Sequence, residues 1–308
     1  MPTNKKAQLN LVTDGVFPIK YKSSGHFIDN ILDTSLQHPG TLQCEGKLIG
    51  YPSLFIRTSG CNLKCAWVLG ERGDLCDTPF SSWNAETNLI EVDEVVAMVR
   101  NNIENMRHVV ITGGEPMIQD EPLVELCTKL KKMGLHITLE TNGTLFTKEV
   151  AEVVDLFSIS PKLSNSIPWL PNLRETGIEY NERRALRHNQ IRKNLKVLQA
   201  FIDSCYVIDP NSGTNTHRND YVPANRRNDK DFQLKFVISG YSDISEIKNE
   251  ILSFLRGVEP SDIILMPLGS NKEGLDLTTK ITMSEVIKNG WRYTPRLHID
   301  MFGTKRSV

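Results

Sequence analysis

The stretch from Ser53 to Thr78, SLFIRTSGCNLKCAWVLGERGDLCDT, decides how we interpret the rest of the chain. The apolar run at residues 54–56 predicts a buried strand that ends in a glycine-containing turn. This turn presents Cys61 and Cys65, and Cys76 follows after ten further residues. Thiolate sulfur suits zinc or iron–sulfur clusters, but a structural zinc site needs four ligands and no fourth Cys or His lies nearby. Three thiolates hold a four-iron cluster by three corners and leave the fourth iron open to a small molecule.

Length and composition bound the fold class and the compartment. The 308 residues, 39% of them hydrophobic, suffice for one large α/β domain or two smaller ones. A net charge of −1 gives no electrostatic case for nucleic acid or a membrane surface, and no apolar run is long enough to span a bilayer. The six cysteines do not suggest a disulfide framework, and residues 1–10 lack a secretory apolar segment. We therefore expect a cytoplasmic protein with no direct nucleic-acid or membrane partner.

Six short apolar or β-branched runs alternate with helical patterns along the chain. They begin near residues 53, 108, 135, 156, 232 and 262. This alternation predicts parallel strands joined by right-handed crossovers. Polar or glycine-rich segments follow the first four strands, at the edge where ligands bind in parallel α/β folds. We expect one mouth to collect the segments at Cys61, Gly114, Glu140 and Ser160.

The strand–helix alternation breaks between about residues 163 and 231. This span is too long for an ordinary connection, so we interpret residues 163–231 as an insertion. Within it, the apolar spacing from Leu186 to Phe201 predicts a helix, and the basic stretch from Arg183 to Lys193 predicts a solvated face. We interpret residues 1–40 as an N-terminal extension and residues 41–308 as a single catalytic domain that the insertion interrupts.

The segment Gly113-Gly114-Glu115-Pro116 follows the second strand. Together with the cysteine loop one strand earlier, it resembles the radical S-adenosylmethionine (SAM) superfamily. The resemblance implies a partial (β/α)6 barrel, a [4Fe–4S] cluster held by the three cysteines, and SAM bound to the open iron. The usual signature is CxxxCxΦC, in which Φ is aromatic. Here Trp67 fits, Val68 stands where the third Cys is expected, and we interpret residues 68–75 as a small insertion in the cluster loop.

Further segments are similar to the 7-carboxy-7-deazaguanine synthases, a family of deazapurine biosynthesis within that superfamily. They are Gln43-Cys44-Glu45-Gly46, with Cys in place of a family Gly, Cys76-Asp77-Thr78, Glu140-Thr141-Asn142-Gly143-Thr144 and Ser158-Ile159-Ser160-Pro161-Lys162. The resemblance implies a lyase of queuosine biosynthesis that contracts the ring of 6-carboxy-5,6,7,8-tetrahydropterin to 7-carboxy-7-deazaguanine, with loss of ammonia. It further implies that the cluster cleaves SAM to a 5′-deoxyadenosyl radical, which takes hydrogen from C6 of the pterin, and that Mg²⁺ is required.

The same resemblance assigns roles to individual residues, none of them catalytic beyond the cofactor-derived radical. The residues expected to bind SAM are Trp67, Gly114, Glu115, Glu140, Asn142, Ser160 and Lys162. The residues expected to bind the pterin are Gln43, Glu45, Arg57, Thr112 and His298. The hydroxyl of Thr78 is expected to join substrate oxygens around Mg²⁺. Arg57 suits a bidentate grip on a carboxylate, with a strand-end ion pair as the alternative, and a structural role for His298 stays equally open.

Other functions stay open at this point. An activase of the same superfamily, which generates a glycyl radical on a partner enzyme, shares the cysteine loop and the GGEP segment but needs neither the Gln43/Glu45 pair nor Thr78. A non-catalytic module would bind zinc at the three cysteines. For the synthase we expect a homodimer and a flavodoxin-type reductant, for which the basic stretch from Arg183 to Lys193 is a candidate docking face.

Overall fold

Twelve strands form one large sheet and one separate hairpin in the computed structural model, which describes residues 6–28, 37–207 and 225–307. In chain order they are β1 (Gln8–Phe17), β2 (Thr41–Leu42), β3 (Pro52–Thr58), β4 (Ala66–Leu69), β5 (Arg72–Leu75), β6 (Asn88–Glu91), β7 (His108–Gly113), β8 (His136–Thr141), β9 (Leu156–Ile159), β10 (Asp231–Ile238), β11 (Ile263–Pro267) and β12 (Arg292–Tyr293). The α-helices are α1 (Val92–Asn102), α2 (Asp120–Lys132), α3 (Lys148–Val153), α4 (Glu182–Ile191), α5 (Leu195–Ser204), α6 (Tyr241–Glu246), α7 (Lys272–Asn289) and α8 (Leu297–Phe302). Among the described residues, no helix has both the length and the apolar character needed to cross a membrane.

The large sheet is mostly parallel. Its strands follow the order β12-β11-β10-β9-β8-β7-β3-β1-β6, and β2 pairs with β3 outside this path. The run from β3 to β11 in this order is parallel throughout, with helices between successive strands. The six strand starts lie within one residue of those predicted, and the predicted α/β class is confirmed. Within the described residues no hydrogen bonds join the two ends of the sheet, so the barrel is open.

The two faces of the parallel strands differ in polarity. Successive side chains on a strand point to opposite faces. On β10, Phe232, Leu234 and Phe236 are buried in the main core beneath the helices, whereas Gln233 and Lys235 face the inside of the barrel. There Gln233 Nε2 donates a hydrogen bond to Ser158 Oγ (2.7 Å). The apolar face supplies the stability of the fold, and the polar face is left to line the site.

The N-terminal segment contributes a strand to the same sheet. Strand β1 pairs antiparallel with β3, with Leu11 opposite Thr58 and Phe17 opposite Phe55, and it also pairs with β6. Phe17 stacks on Phe55 with ring centroids 5.5 Å apart. Residues 8–17 therefore extend the sheet beside the first parallel strand; the division of the chain at residue 40 stays a prediction.

The helix predicted between Leu186 and Phe201 is instead two helices, α4 and α5. The side chain of Asn194 accepts a hydrogen bond from the amide of Val197 (3.3 Å), so it caps a new helix and interrupts the apolar spacing. Arg192, expected on a solvated face, is buried and forms an ion pair with Glu246 (2.6 Å). A buried arginine requires such a partner, because an unpaired charge is costly away from water.

Candidate active site

A cavity of about 390 Å³ opens at the carboxyl ends of the parallel strands. Every residue that the sequence predicted for the site lines this cavity except Glu115. The lining residues among them are Gln43, Glu45, Arg57, Cys61, Cys65, Trp67, Cys76, Thr78, Thr112, Gly114, Glu140, Asn142, Ser160, Lys162 and His298. Segments that are far apart in the chain thus share one enclosed space, as the parallel strand order requires.

The cluster loop contains a β-hairpin made of β4 and β5. Ala66 pairs with Leu75 at its base, so the flanking Cys65 and Cys76 emerge side by side. The amide of Cys76 donates a hydrogen bond to the carbonyl of Cys65 (3.2 Å). The residues interpreted as an insertion therefore fold back on themselves, and the third cysteine returns to the position beside the second despite its late place in the sequence.

Apolar side chains surround the three cysteines. Leu63, Trp67 and Leu268 are buried in one cluster with Cys65, and the other two cysteines pack against it. Burial raises the pKa of the Cys61 thiol to about 12, with the charge of Glu115 adding to the effect. Burial likewise raises the pKa of Cys65. Binding of iron requires the thiolates and would therefore release these protons.

The donor set fits a four-iron cluster better than a single ion. In the described part of the chain, no three His, Cys, Asp or Glu side chains come close enough together to hold one metal ion. A four-iron cluster distributes its ligands over different irons, so the thiols need only face a shared space.

A fourth cavity-lining thiol, Cys44, donates to the carbonyl of Leu42 (3.2 Å) and lies beside Gln43 and Glu45 in the chain.

The Gly113-Gly114-Glu115 turn packs directly on the start of the cysteine loop. The amide of Gly114 donates to Thr58 O (3.2 Å), and the amide of Glu115 donates to Gly60 O (2.8 Å). A Cβ atom on Gly114 would lie 2.1 Å from the carbonyl oxygen of Gly60, so only glycine permits this approach. The two motifs that indicated the superfamily are therefore one hydrogen-bonded unit.

The carboxylate of Glu115 lies behind the cavity wall. It is fully buried, and it accepts hydrogen bonds from the amides of Met117 (3.0 Å) and Asn142 (2.7 Å) and from the hydroxyl of Thr141 (2.8 Å). Burial raises its pKa, although these hydrogen bonds oppose the shift. In this structure the Glu115 side chain joins the ends of β7 and β8, and its predicted contact with SAM stays a prediction.

The other residues predicted to bind SAM form a rim of polar groups. Lys162 Nζ donates to Ser160 Oγ (2.8 Å), which pairs a cation with a hydroxyl at one point of the rim. Gln43 Nε2 donates to Glu140 Oε1 (3.3 Å). This last contact joins a residue predicted to bind the pterin to one predicted to bind SAM, so the two candidate subsites adjoin.

The opposite end of the cavity is a network of ion pairs around Glu45. Its carboxylate contacts Lys235 Nζ and lies 3.5 Å from Arg296 Nε and 3.8 Å from His298 Nδ1. Burial alone would raise the pKa of Glu45, but Lys235, Arg296 and His298 lower it to about 2. Arg296 also pairs with Asp77, beside the cluster cysteine. Glu45 is therefore an ionised, fixed hydrogen-bond acceptor.

Sequence reasoning missed Lys235 and Arg296. Lys235 belongs to a strand read mainly as an apolar run, although a lone Lys among the buried residues of β10 was a signal that it faces the barrel interior. Arg296 precedes α8, and Leu297 of that helix donates its amide to the carbonyl of Cys44 (3.2 Å). No local pattern predicts that contact between the tail and the loop before β3.

Arg57 lines the cavity, and no ion pair joins it to another of the described residues. Its guanidinium lies 5.0 Å from the ring centroid of Phe17 and 6.0 Å from that of Phe80. Its buried Nε has no hydrogen-bond partner among the residues that the structure describes. A strand-end ion pair, the alternative considered from the sequence, does not occur within that part of the chain. A half-buried guanidinium with a buried, unsatisfied Nε is suited to binding an anion.

Comparison with known proteins gives the family. Residues 55–208 match the radical SAM superfamily. The chain is 35% identical to the 7-carboxy-7-deazaguanine synthase of Halobacterium salinarum over 85% of this chain and 87% of that protein. It is 31% identical to the synthase of the same name from Rhodopirellula baltica, over 86% and 85% of the two chains.

The fold has a solved counterpart. The crystal structure of QueE from Escherichia coli superposes with a TM-score of 0.51 at 22% identity and covers 92% of this chain and 95% of that one. The relatives carry the synthase name, so the activase alternative is not favoured. The chain belongs to the radical SAM superfamily and, within it, to the 7-carboxy-7-deazaguanine synthase family.

Proposed function

We propose that this protein converts 6-carboxy-5,6,7,8-tetrahydropterin into 7-carboxy-7-deazaguanine and ammonia, as a radical SAM carbon–nitrogen lyase of queuosine and deazapurine biosynthesis. The observation that carries the proposal is the single cavity that joins the three cysteines to the Glu45 network and Arg57. The hydrogen bond between Gln43 and Glu140 (3.3 Å) marks where the two subsites meet. A substrate carbon and a radical generated from SAM would share this space.

The three cysteines would hold the [4Fe–4S] cluster, and the rim would hold SAM. When bound, the reduced cluster and SAM supply a 5′-deoxyadenosyl radical. Lys162 and Ser160 suit the carboxylate of SAM, Glu140 and Asn142 suit its ribose hydroxyls, and Gly114 allows close approach of its amino group. Trp67 would pack near the adenine from the hairpin. In this arrangement Glu115 acts by fixing the amide of Asn142, its hydrogen-bond partner at 2.7 Å.

The pterin would lie between Arg57 and Glu45. The unpaired guanidinium of Arg57 can bind the substrate carboxylate with two parallel hydrogen bonds. The ionised Glu45 can accept N–H groups from the opposite edge of the ring, and Gln43 offers both a donor and an acceptor there. Thr112 and His298 would complete the pocket. These residues orient the substrate and exclude water, while the cofactor supplies the bond-breaking chemistry.

The Mg²⁺ requirement is part of the proposal. The hydroxyl of Thr78 lies 3.5 Å from Cys76 Sγ and lines the cavity, and the side chain makes no cap hydrogen bond to the helical turn that follows it. The contact with Cys76 and the position in the cavity lining support a role for Thr78 between the cluster and the substrate. Mg²⁺ usually takes few protein ligands and completes its shell with substrate and water.

The proposal extends to the partners and the compartment of the protein. We propose a cytoplasmic homodimer reduced by a flavodoxin-type protein that docks beside α4. Arg183 and Arg187 are exposed on this helix. His188 Nδ1 of the same helix accepts a hydrogen bond from the backbone amide of Lys64 in the cluster loop (3.2 Å). Charge reversal at both arginines should slow reduction by flavodoxin but not by dithionite; equal loss with both reductants would reject the docking site. A monomeric mass in sedimentation by analytical ultracentrifugation would reject the proposed homodimer.

The function is tested by anaerobic incubation of the reconstituted protein with the carboxy-tetrahydropterin, SAM, Mg²⁺ and reductant, followed by mass spectrometry. The expected product is 17 mass units lighter than the substrate, because ammonia leaves. An activase would give no deazapurine. Cleavage of SAM without conversion of the pterin would therefore reject the proposed substrate, although the superfamily would stand.

A further inference from the structure

The cluster hairpin is held from outside by the first part of the 163–231 insertion. Two short turns of that segment, Ser164–Ser166 and Leu170–Leu173, pack on the hairpin. The amide of Gly73 in β5 donates to the carbonyl of Arg174 (2.8 Å), and a Cβ atom on Gly73 would lie 2.3 Å from the carbonyl oxygen of Asn172. The two departures from a simple barrel therefore form one substructure beside the cavity.

Two asparagine side chains, buried Asn172 and half-buried Asn165, make the decisive contacts. Asn172 Nδ2 donates to the carbonyls of Ala66 and Asn165, at 2.8 Å each. Asn165 Oδ1 accepts from Trp67 Nε1 (3.1 Å). Asn165 Nδ2 donates to Val237 O (3.3 Å), near the end of β10. A continuous chain of hydrogen bonds thus runs from the main sheet through both asparagines to the hairpin.

These contacts fall at the base of the hairpin, where its geometry matters. Ala66 follows Cys65 directly and pairs with Leu75, which precedes Cys76. Asn172 therefore binds the backbone at the point that sets the separation of the two ligands. On the other side, Trp83 Nε1 donates to the carbonyl of Cys65 (2.9 Å). A two-stranded hairpin with four-residue strands is marginal without outside support.

We propose that Asn172 and Asn165 are positioning residues that keep Cys76 in register with Cys61 and Cys65 and orient Trp67. This inference rests on the proposed function, because it presupposes that the three cysteines ligate the cluster. It gives the first part of the insertion a structural role in the radical chemistry. The insertion supplies support for the hairpin that a shorter cysteine loop would not need.

The test compares wild type with Asn172→Ala, Gly73→Ala and the control Asn102→Ala, all reconstituted anaerobically. Asn102 is fully buried and also donates to two carbonyls, those of Tyr21 and Met98 (2.7 Å each). It lies at the end of α1 and does not line the cavity. The readouts are the rate of iron loss to a chelator, the electron paramagnetic resonance spectrum of the reduced cluster, and thermal unfolding. Gly73→Ala displaces the hairpin from Asn172 without deleting any hydrogen-bonding side chain.

Asn172→Ala should lose iron roughly fivefold faster or more, because the hydrogen bond to the base of the hairpin and the one that links Asn172 to Asn165 are both gone. Its reduced cluster should show altered g values, and Gly73→Ala should change both readouts in the same direction. Asn102→Ala should lower the unfolding temperature and leave both cluster readouts as in wild type. Wild-type iron loss and spectra in Gly73→Ala, or in a folded Asn172→Ala, would overturn the inference. Failure of wild type itself to bind a cluster would instead overturn the proposed function.

Discussion

At the cluster end of the cavity, three protonated thiols lie among apolar side chains, and burial raises the pKa of each. At the substrate end, Glu45 is already ionised and surrounded by cations. The first end needs iron to replace its protons, whereas the ion pairs of Glu45 at the second end are already formed before any ligand arrives. The difference indicates that substrate recognition is preorganised in the folded chain, while the cluster end depends on assembly around its cofactor.

The largest effect should follow from breaking the cluster end. Cys76→Ser should abolish both iron–sulfur absorption and deazapurine formation, because two thiolates leave the cluster short of a corner ligand. The matched control is Cys127→Ala, since Cys127 is fully buried in the main core. It should keep the cluster and lose only some stability. Normal cluster content in Cys76→Ser would show that the hairpin does not present a ligand.

Next in size is the loss of the Arg57 guanidinium at the substrate end. Arg57→Met should lower kcat/KM about 100- to 1,000-fold, because it removes a bidentate, charge-assisted contact with the substrate carboxylate. Cluster content should be unchanged. Chemical unfolding should show equal or greater stability, since the change removes a buried Nε that has no hydrogen-bond partner in the described chain. Marked destabilisation would instead mean that Arg57 is a structural residue.

Lys235→Met tests whether the substrate end is held by its ion pairs. Glu45 is then buried with one counter-charge fewer, and the free energy of unfolding should fall by about 3–5 kcal/mol. Adding Glu45→Gln in the double variant should restore part of that loss, because no carboxylate remains to be compensated. Equal stability of the single and double variants would show that the two side chains are not coupled.

The pH dependence of stability provides a smaller and independent check. The pKa of Glu45 in the folded protein is about 2 against an ordinary value of 4.5, so its contribution to stability is present above pH 4.5 and is lost as the pH falls towards 2. The linked free energy is about 3 kcal/mol. Unfolding curves of wild type and Glu45→Gln should therefore converge with decreasing pH; a constant difference would contradict the lowered pKa.

The smallest effect is expected where the two ends meet, at Thr78. Thr78→Ala should raise the Mg²⁺ concentration for half-maximal activity roughly tenfold, the cost of one weak ligand of about 1.4 kcal/mol. Cluster content should stay at the wild-type level. Thr128→Ala, on helix α2, is the control and should change neither quantity. Loss of the cluster in Thr78→Ala would assign Thr78 to the support of Cys76 instead.

The sequence predicted the cluster end of the cavity better than the substrate end. Cysteines, glycines and β-branched strands are local signals, so the six parallel strands and the cluster loop could be located from them. The hairpin also left a local trace, because Gly70 between Leu69 and Glu71 adopts a positive φ (63°) suited to a two-residue turn. The ion pairs of Glu45 left no local trace in the sequence, because Lys235 and Arg296 reach Glu45 from distant parts of the chain.

The predicted position of Glu115 shows the same limit. A glutamate after two glycines at a strand end suggested a ligand contact, but only the three-dimensional structure shows that Thr141 and Asn142 of the next strand end occupy its carboxylate. These partners lie 26 and 27 positions further along the chain, so no local sequence pattern shows the contact.

Whether the two ends serve one reaction is tested most directly with a substrate that carries deuterium at C6 of the carboxy-tetrahydropterin. If the cavity holds SAM against the pterin as proposed, the deuterium should pass to 5′-deoxyadenosine and, when 5′-deoxyadenosine returns a hydrogen to the product radical, into re-formed SAM, while 7-carboxy-7-deazaguanine accumulates. Unlabelled 5′-deoxyadenosine with no deazapurine, from protein whose cluster is intact and reduced, would show that the cluster end and the substrate end do not act together.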